Sequence, residues 1–454
     1  MEKIFDQKII NRALKKIEAG TQILPDKNLP RQAVHTFYGG AHLFRNDTAA
    51  KMGQIALDGL QKYAANGEEL MKIFHTGNSA GLTKDFSSLQ LSEIYGKVYS
   101  RFKDKLAKEP IEDYRIDFED GYGVRSDEEE EKEALRTAEE TAAAMRNKTL
   151  PRLFGIRVKP LNTVFLPRAL RTLEVYITRL HKLTGGKLPA DFMVTIPKIE
   201  IAEEVEVLNK ALHLLEEKLS LPVNSIRTDL MIESAPAVIF DRKINLEKII
   251  DTAGERCTGV NIGIYDYTSM LGISAQSQSY AHPSVDFLRQ MMKILTVQKN
   301  VYLIDGATHI MPVEIYKPSK SNPGISEAEI LANTGSIHKA WRLSFNNNLH
   351  SLNNGIYQGW DLHPYQLIPR YASLYLYFLS DLENSVARMK NFLSSANNQT
   401  LTSHYFDDAA SASGLYNYFV KAVSCGALSD EDIKPLNLTR TDFLTKSLRE
   451  LANK

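Results

Sequence analysis

The sequence predicts a closed (β/α)₈ TIM barrel with extra helices in its N-terminal half and a helical C-terminal appendage. Two observations lead there. Eight short β-like runs recur with helical segments between them, and polar residues follow nearly every run on the same side. Strands alternating with helices imply a parallel sheet. Eight such units imply closure into a barrel rather than an open sheet.

The runs are Ala33–Phe37, Tyr114–Phe118, Phe154–Val158, Phe192–Ile196, Asp229–Ile232, Val260–Ile264, Val301–Ile304 and Ile356–Trp360. Ahead of them, Ile4, Phe5, Ile9, Leu14 and Ile17 are spaced as an amphipathic helix. That segment lacks the apolar core of a signal peptide, and Glu2, Asp6 and Glu18 argue against a transit peptide. The first gap, about 80 residues, exceeds one helix, so helices are expected near 48–64, 67–74 and 87–107. Ser126-Asp127-Glu128-Glu129 opens the next helix as a capping box, its acids in the turn the helix dipole favours. The clearest helix is Glu200–Glu217, apolar at 201, 205, 208, 212 and 215, which makes one buried stripe. Beyond the eighth run, residues 366–454 read as helices only, with stops at Asn397-Asn398, Gly426 and Pro435. The expected division is a catalytic barrel over 1–365 and a helical extension over 366–454.

Composition narrows the function classes. Of 454 residues, 43% are hydrophobic and 24% charged, as in an ordinary globular protein. Lys+Arg and Asp+Glu both number 55, so no global field draws nucleic acid or an anionic membrane. No stretch approaches ~20 apolar residues, the length that spans a bilayer. The two cysteines, Cys257 and Cys425, make no disulfide framework and fit a reducing cytoplasm.

In this barrel class, chemistry gathers at the C-terminal ends of the strands. The second run ends Asp117-Phe118-Glu119-Asp120-Gly121, and the third carries Arg157 and Lys159. The fourth ends Pro197-Lys198-Ile199-Glu200, the seventh Asp305-Gly306, the eighth Asp361-Leu362-His363-Pro364. Most informative are Glu233, after the fifth run, and Asp266, after the sixth, 33 residues later. That gap is the length of one strand–helix–strand unit, and neighbouring parallel strands lie roughly 4.8 Å apart. Two acids so placed can share one hard cation with sites left for water, which points to Mg²⁺.

Arg157 alternates with Ile156 and Val158, so it faces the barrel interior or mouth and must be paired. Its partner is either a strand-two carboxylate or a substrate carboxylate held in bidentate geometry. Asp117, Glu119 and Asp120 are too many for helix caps alone; at least one is expected to orient a metal-bound water or Arg157. Lys159 and Lys198 raise the alternative of a Schiff-base aldolase, although the acid pair and Arg157 would make such a lysine redundant and Lys198 reads as a loop cation. Among His35, His75, His282, His309 and His363, none shows the spacing of a zinc pair. His363, at a strand end, has the best claim to function. The segment from His75 to Gly81 reads as a mouth loop and matches no phosphate-binding motif.

This ordered set resembles the citrate lyase β-subunit / HpcH-HpaI aldolase superfamily and, more distantly, malate synthase. The shared pattern is the acidic strand-two end, Arg157-Val158, Pro197 to Glu200, Ile232-Glu233, Asp266, and His363-Pro364, over roughly residues 30–370. The segment Ile264-Tyr265-Asp266-Tyr267 looks closer to malate synthase than to the lyase β-subunit. The resemblance implies Mg²⁺ (or Mn²⁺) held by Glu233 and Asp266. It implies a small-molecule carboxylate substrate, with Arg157 binding a carboxylate or enolate oxygen. The reaction it implies is carbon–carbon bond cleavage or formation through a metal-stabilised enolate of a 2-oxo acid or acyl-CoA. No basic, aromatic-lined segment marks a coenzyme A site. The chain is also longer than a typical lyase β-subunit.

In that superfamily a C-terminal segment often closes the mouth, sometimes of a neighbouring subunit, and can carry an acid/base aspartate. Asp407 and Asp408, before an Ala-rich run, are the matching candidates here; an ordinary helix-start role is their other reading. A lid donated by a partner would make the active unit a homo-oligomer. Three functions compete: a Mg²⁺-dependent lyase or aldolase, a malate-synthase-like condensing enzyme or thioesterase using an acyl-CoA, and a non-catalytic barrel scaffold. A scaffold gains nothing from Arg157, Glu233 and Asp266.

Overall fold

The computed structural model describes residues 7–20, 31–75, 86–318, 324–395 and 409–452. Eight parallel strands close into a barrel: β1 (His35–Gly40), β2 (Asp113–Asp117), β3 (Leu153–Arg157), β4 (Met193–Ile196), β5 (Arg227–Ile232), β6 (Cys257–Ile262), β7 (Tyr302–Ala307) and β8 (Gln358–Asp361). Each pairs with the next in the chain, and β8 returns to β1 through His35↔Gly359. The strands are buried almost throughout because helices cover the sheet on the outside, as an all-parallel sheet requires.

All eight sequence runs are strands, with ends shifted by up to three residues. The sixth shift matters. The strand stops at Ile262, and Ile264–Met270 is a helix, opened by Tyr267 N–H donating to the Gly263 carbonyl at 3.1 Å. Asp266 therefore stands in a first helical turn, not at a strand end as the sequence suggested. The first gap holds helices Thr48–Tyr63, Gly67–Phe74 and Ser88–Lys108, close to expectation. The sequence reading missed a hairpin pairing Ile239–Phe240 with Lys243–Ile244. Its turn residues Asp241 and Arg242 both have positive φ, 47° and 61°, without the Asn-Gly signature that usually announces such a turn.

Helix Leu367–Ser380 is buried along nearly its whole length and packs between Ser88–Lys108 and Glu327–Asn353, completing the outer ring. Helix Ala409–Ser424 lies at the opposite end from the strand C-termini. Its Lys421 ammonium faces the rings of Tyr302 and Tyr357, each 5.5 Å away, at the entry to β7 and β8.

The lower barrel interior is ionic rather than aliphatic. Arg115 is fully buried, its Nη2 donating to Asp229 Oδ2 at 2.5 Å, its Nη1 to Asp113 and its Nε to Thr195 Oγ1 at 3.1 Å. Burial pushes the Asp113 carboxyl up to about 6 even against this arginine. Removing the cation would strand two buried acids. Arg115→Ala is therefore expected to lower unfolding free energy by about 3–5 kcal/mol, read from urea denaturation midpoints.

Candidate active site

The ladder register sets the first contact of the mouth. Asp117 stands directly opposite Arg157 on the neighbouring strand. Arg157 Nε donates to Asp117 Oδ1 at 2.7 Å and Nη2 to Oδ2 at 2.5 Å, a bidentate pair. The same carboxylate accepts the backbone N–H groups of Glu119 (2.9 Å) and Gly121 (2.7 Å), so it also fixes the loop after β2. A Cβ at Gly121 would come within 2.5 Å of Asp117 Oδ2, which is why glycine sits there. The open choice for Arg157 is thus settled for its fork: a strand-two carboxylate takes it. Nη1 lies 3.4 Å from Glu119 Oε2, and the guanidinium covers the Tyr38 ring at 4.8 Å while still lining the cavity.

Glu119 and Asp120 turn to Lys198 instead. Its ammonium donates to Glu119 Oε1 at 2.6 Å and Asp120 Oδ1 at 2.9 Å. Glu119 Oε2 is buried and receives no hydrogen bond among the described residues. Burial raises the Glu119 carboxyl above its usual range, with Arg157 opposing.

Glu233, only 3% exposed, accepts the Lys198 backbone N–H on Oε1 at 2.7 Å. Burial, then the charge of Asp266, push its carboxyl up to about 7. Its room is made by Gly263, where a Cβ would meet Glu233 Oε2 at 2.2 Å. Asp266, with its side chain 49% exposed, lines the same cavity, 3.9 Å from the Lys198 ammonium. His363 lines it too. Its Nδ1 accepts the Tyr365 N–H at 3.1 Å, and burial lowers the imidazole to about 4, leaving a neutral ring with its proton on Nε2.

The cavity measures about 720 Å³. Asp117, Asp120, Arg157, Glu233 and Asp266 line its polar part, and Leu43, Met52, Ile55 and Leu362 supply apolar wall. The sequence reading assigned no role to Tyr265 or His309, which also line it and are joined by a 2.6 Å hydrogen bond between Tyr265 Oη and His309 Nδ1. Nor did it find Tyr38 and Trp360, packed at 4.9 Å. The only signal was their proximity to strand ends.

Other expected mouth residues are structural. Lys159 is buried, donating to the carbonyls of Phe118 (2.7 Å) and Gly123 (3.2 Å), so it is no Schiff-base amine. Burial would lower the Lys198 ammonium, but Glu119 and Asp120 hold it above the usual lysine range, the opposite of the shift that activates a Schiff-base amine. Asp305 pairs with Arg289 at 2.9 Å and Asp361 with Arg370 at 3.1 Å, both deep in the packing. Asp407, Asp408 and residues 76–85 lie outside the described residues.

Among the described residues, no three His, Cys, Asp or Glu side chains form a ready-made metal cage. The donors nevertheless fit a hard cation with part of its shell left open. They are all carboxylate oxygens, Glu233 is buried against its own charge, and Glu119 Oε2 accepts no hydrogen bond among the described residues.

Fold and mouth define a (β/α)₈ barrel with an acidic, cation-braced site at its C-terminal face. The chain belongs to the family described as "Domain of unknown function (DUF6986)", which it matches over residues 14–451. No curated protein matches it. Among solved structures it is similar to a citrate lyase from Burkholderia xenovorans LB400, 14% identical over 92% of this chain and 100% of that one, with a TM-score of 0.53. A Haloferax volcanii malate synthase in complex with magnesium and glyoxylate is 12% identical over 94% and 95%, TM-score 0.45. An HpcH/HpaI aldolase from Desulfitobacterium hafniense DCB-2 is 10% identical over 87% and 98%, TM-score 0.35. The likeness, carried by the first of these, is one of fold, and the fold is that of the superfamily the sequence resembles. Among the described residues no helix is long and apolar enough to cross a membrane.

The raised Glu233 carboxyl predicts a stability effect with a definite sign. The folded state holds this proton from the ordinary value of 4.5 up to about 7, so stability falls as pH rises through that window. In chelator, Glu233→Gln should melt higher than wild type at pH 8, by about 3 kcal/mol at most, and the gap should close by pH 4.

Proposed function

We propose that the protein is a Mg²⁺-dependent carbon–carbon lyase or aldolase that acts on a 2-oxo acid or acyl thioester through an enolate. One observation carries this reading: a buried Glu233 shares the cavity with Asp266 and is destabilised by it, an arrangement that a divalent cation relieves. Glu233 and Asp266 would hold the ion, which supplies Lewis-acid stabilisation of the charge developing on the substrate carbonyl oxygen.

The chain's own groups do the rest. Arg157, locked by Asp117, presents Nη1 and the guanidinium face at a fixed place for a carboxylate or enolate oxygen. Asp117 is a positioning residue for that arginine. His363, neutral and with one tautomer fixed, can donate a hydrogen bond from Nε2 without adding charge. Tyr38 and Trp360 wall the polar floor against water.

A condensing enzyme or thioesterase using acyl-CoA is the second reading. The cavity volume favours it, since about 720 Å³ suits a drug-sized ligand better than a three-carbon acid. A coenzyme A requirement in turnover separates the two.

The test is proton exchange. In D₂O with Mg²⁺, the protein should exchange the carbon-bound protons next to the carbonyl of pyruvate, oxaloacetate or an acyl-CoA, followed by ¹H NMR. Chelation should abolish exchange. Arg157→Lys, which keeps charge but loses the fork, should slow it at least ~10-fold, about 1.4 kcal/mol. Exchange that persists undiminished in chelator would rule out the metal-dependent mechanism.

A further inference from the structure

We propose that Lys198 is the resident counter-ion of the acidic mouth and competes with a divalent cation for it, so that Lys198 sets the metal affinity. This rests on the reading that Glu233 and Asp266 hold the ion.

The geometry is specific. One residue touches every acid of the mouth that Arg157 does not clamp. The Lys198 backbone N–H holds Glu233 Oε1 at 2.7 Å. Its ammonium lies 2.6 Å from Glu119, 2.9 Å from Asp120 and 3.9 Å from Asp266. The backbone there is left-handed, with φ 51°, a conformation that a lysine rarely adopts. Such a conformation persists where surrounding structure over-determines it, and here the backbone N–H is held by Glu233.

The two cations of the mouth are not equivalent. Arg157 is buried with its fork on Asp117, and it cannot leave without stranding that acid. Lys198 is 34% exposed on a flexible four-carbon stem, and its ammonium can swing into solvent while its N–H stays on Glu233. A single charge holds the acids together without metal. A divalent cation near Glu233 and Asp266 is repelled by that ammonium and gains affinity when it withdraws. Among the described residues Glu119 Oε2 accepts no hydrogen bond and lies 3.4 Å from Arg157 Nη1, so the lysine alone does not satisfy the cluster.

The experiment is Mn²⁺ titration of the full-length protein without substrate, read by the EPR signal of free Mn²⁺. Melting temperature in chelator and in excess Mn²⁺ is the second readout. Lys198→Met, which keeps the stem, should bind Mn²⁺ at least ~10-fold tighter than wild type. It should melt lower in chelator and recover with Mn²⁺. Lys198→Gln should behave the same way and serves if the methionine variant does not fold. Lys198→Arg should stay near wild-type affinity. Mn²⁺ binding to Lys198→Met alone would support competition in its strongest form. If wild type binds and the neutral variants bind equally or more weakly, the competition is overturned and the metal reading stands. If none of the proteins binds Mn²⁺, both fall.

Discussion

The site depends on an imbalance of charge held in place by the fold. Asp117, Glu119, Asp120, Glu233 and Asp266 converge at one end of the barrel, and among the described residues Arg157 and Lys198 are the two cations paired with them. Like charges brought together repel, and burial of Asp117, Glu119 and Glu233 removes the water that would screen those three. The consequences are visible in Glu233, whose carboxyl is pushed up to about 7, and in Glu119, whose Oε2 accepts no hydrogen bond among the described residues. Such an arrangement destabilises the empty protein. Under the proposed reading, a cation bound by Glu233 and Asp266 would offset that cost.

The barrel supplies the rigidity that keeps the acids from relaxing apart. Parallel register puts Asp117 beside Arg157 on the neighbouring strand. Gly263 and Gly121 remove the Cβ atoms that would displace Glu233 and Asp117. The Arg115 network below fixes β2 and β5, the strands that carry Asp117 and Glu233. The apolar part of the cavity is walled by Leu43, in the short turn after β1, by Met52 and Ile55 on helix Thr48–Tyr63, and by Leu362 after β8.

Much of this was legible in the sequence, for physical reasons. Strands buried on both faces read as apolar runs, so all eight appeared, and the capping box at Ser126 marked its helix. Glu233, Arg157 and His363 were legible as residues of the cavity because they stand at or just past strand ends, where this fold opens its mouth. The same rule misled at Asp305 and Asp361, whose partners Arg289 and Arg370 arrive from helices and claim them for packing. It misplaced Asp266 because Gly-Ile-Tyr-Asp looks β-like, although Gly263 starts a helix. Lys198 looked like an ordinary loop cation. Its place among four acids comes from strands two, four, five and six meeting in space, with contacts 35 to 79 residues apart that no local pattern encodes.

The account turns on where a divalent cation goes. The most direct measurement is a crystal structure grown with Mn²⁺ and a 2-oxo acid, with anomalous scattering to locate the metal. The account predicts one strong peak touching carboxylate oxygens of both Glu233 and Asp266, with the acid's oxygens completing the shell and its remaining carbons toward Leu43 and Met52. A structure at saturating Mn²⁺ with no peak there, or with metal only at surface acids away from the barrel mouth, would contradict it.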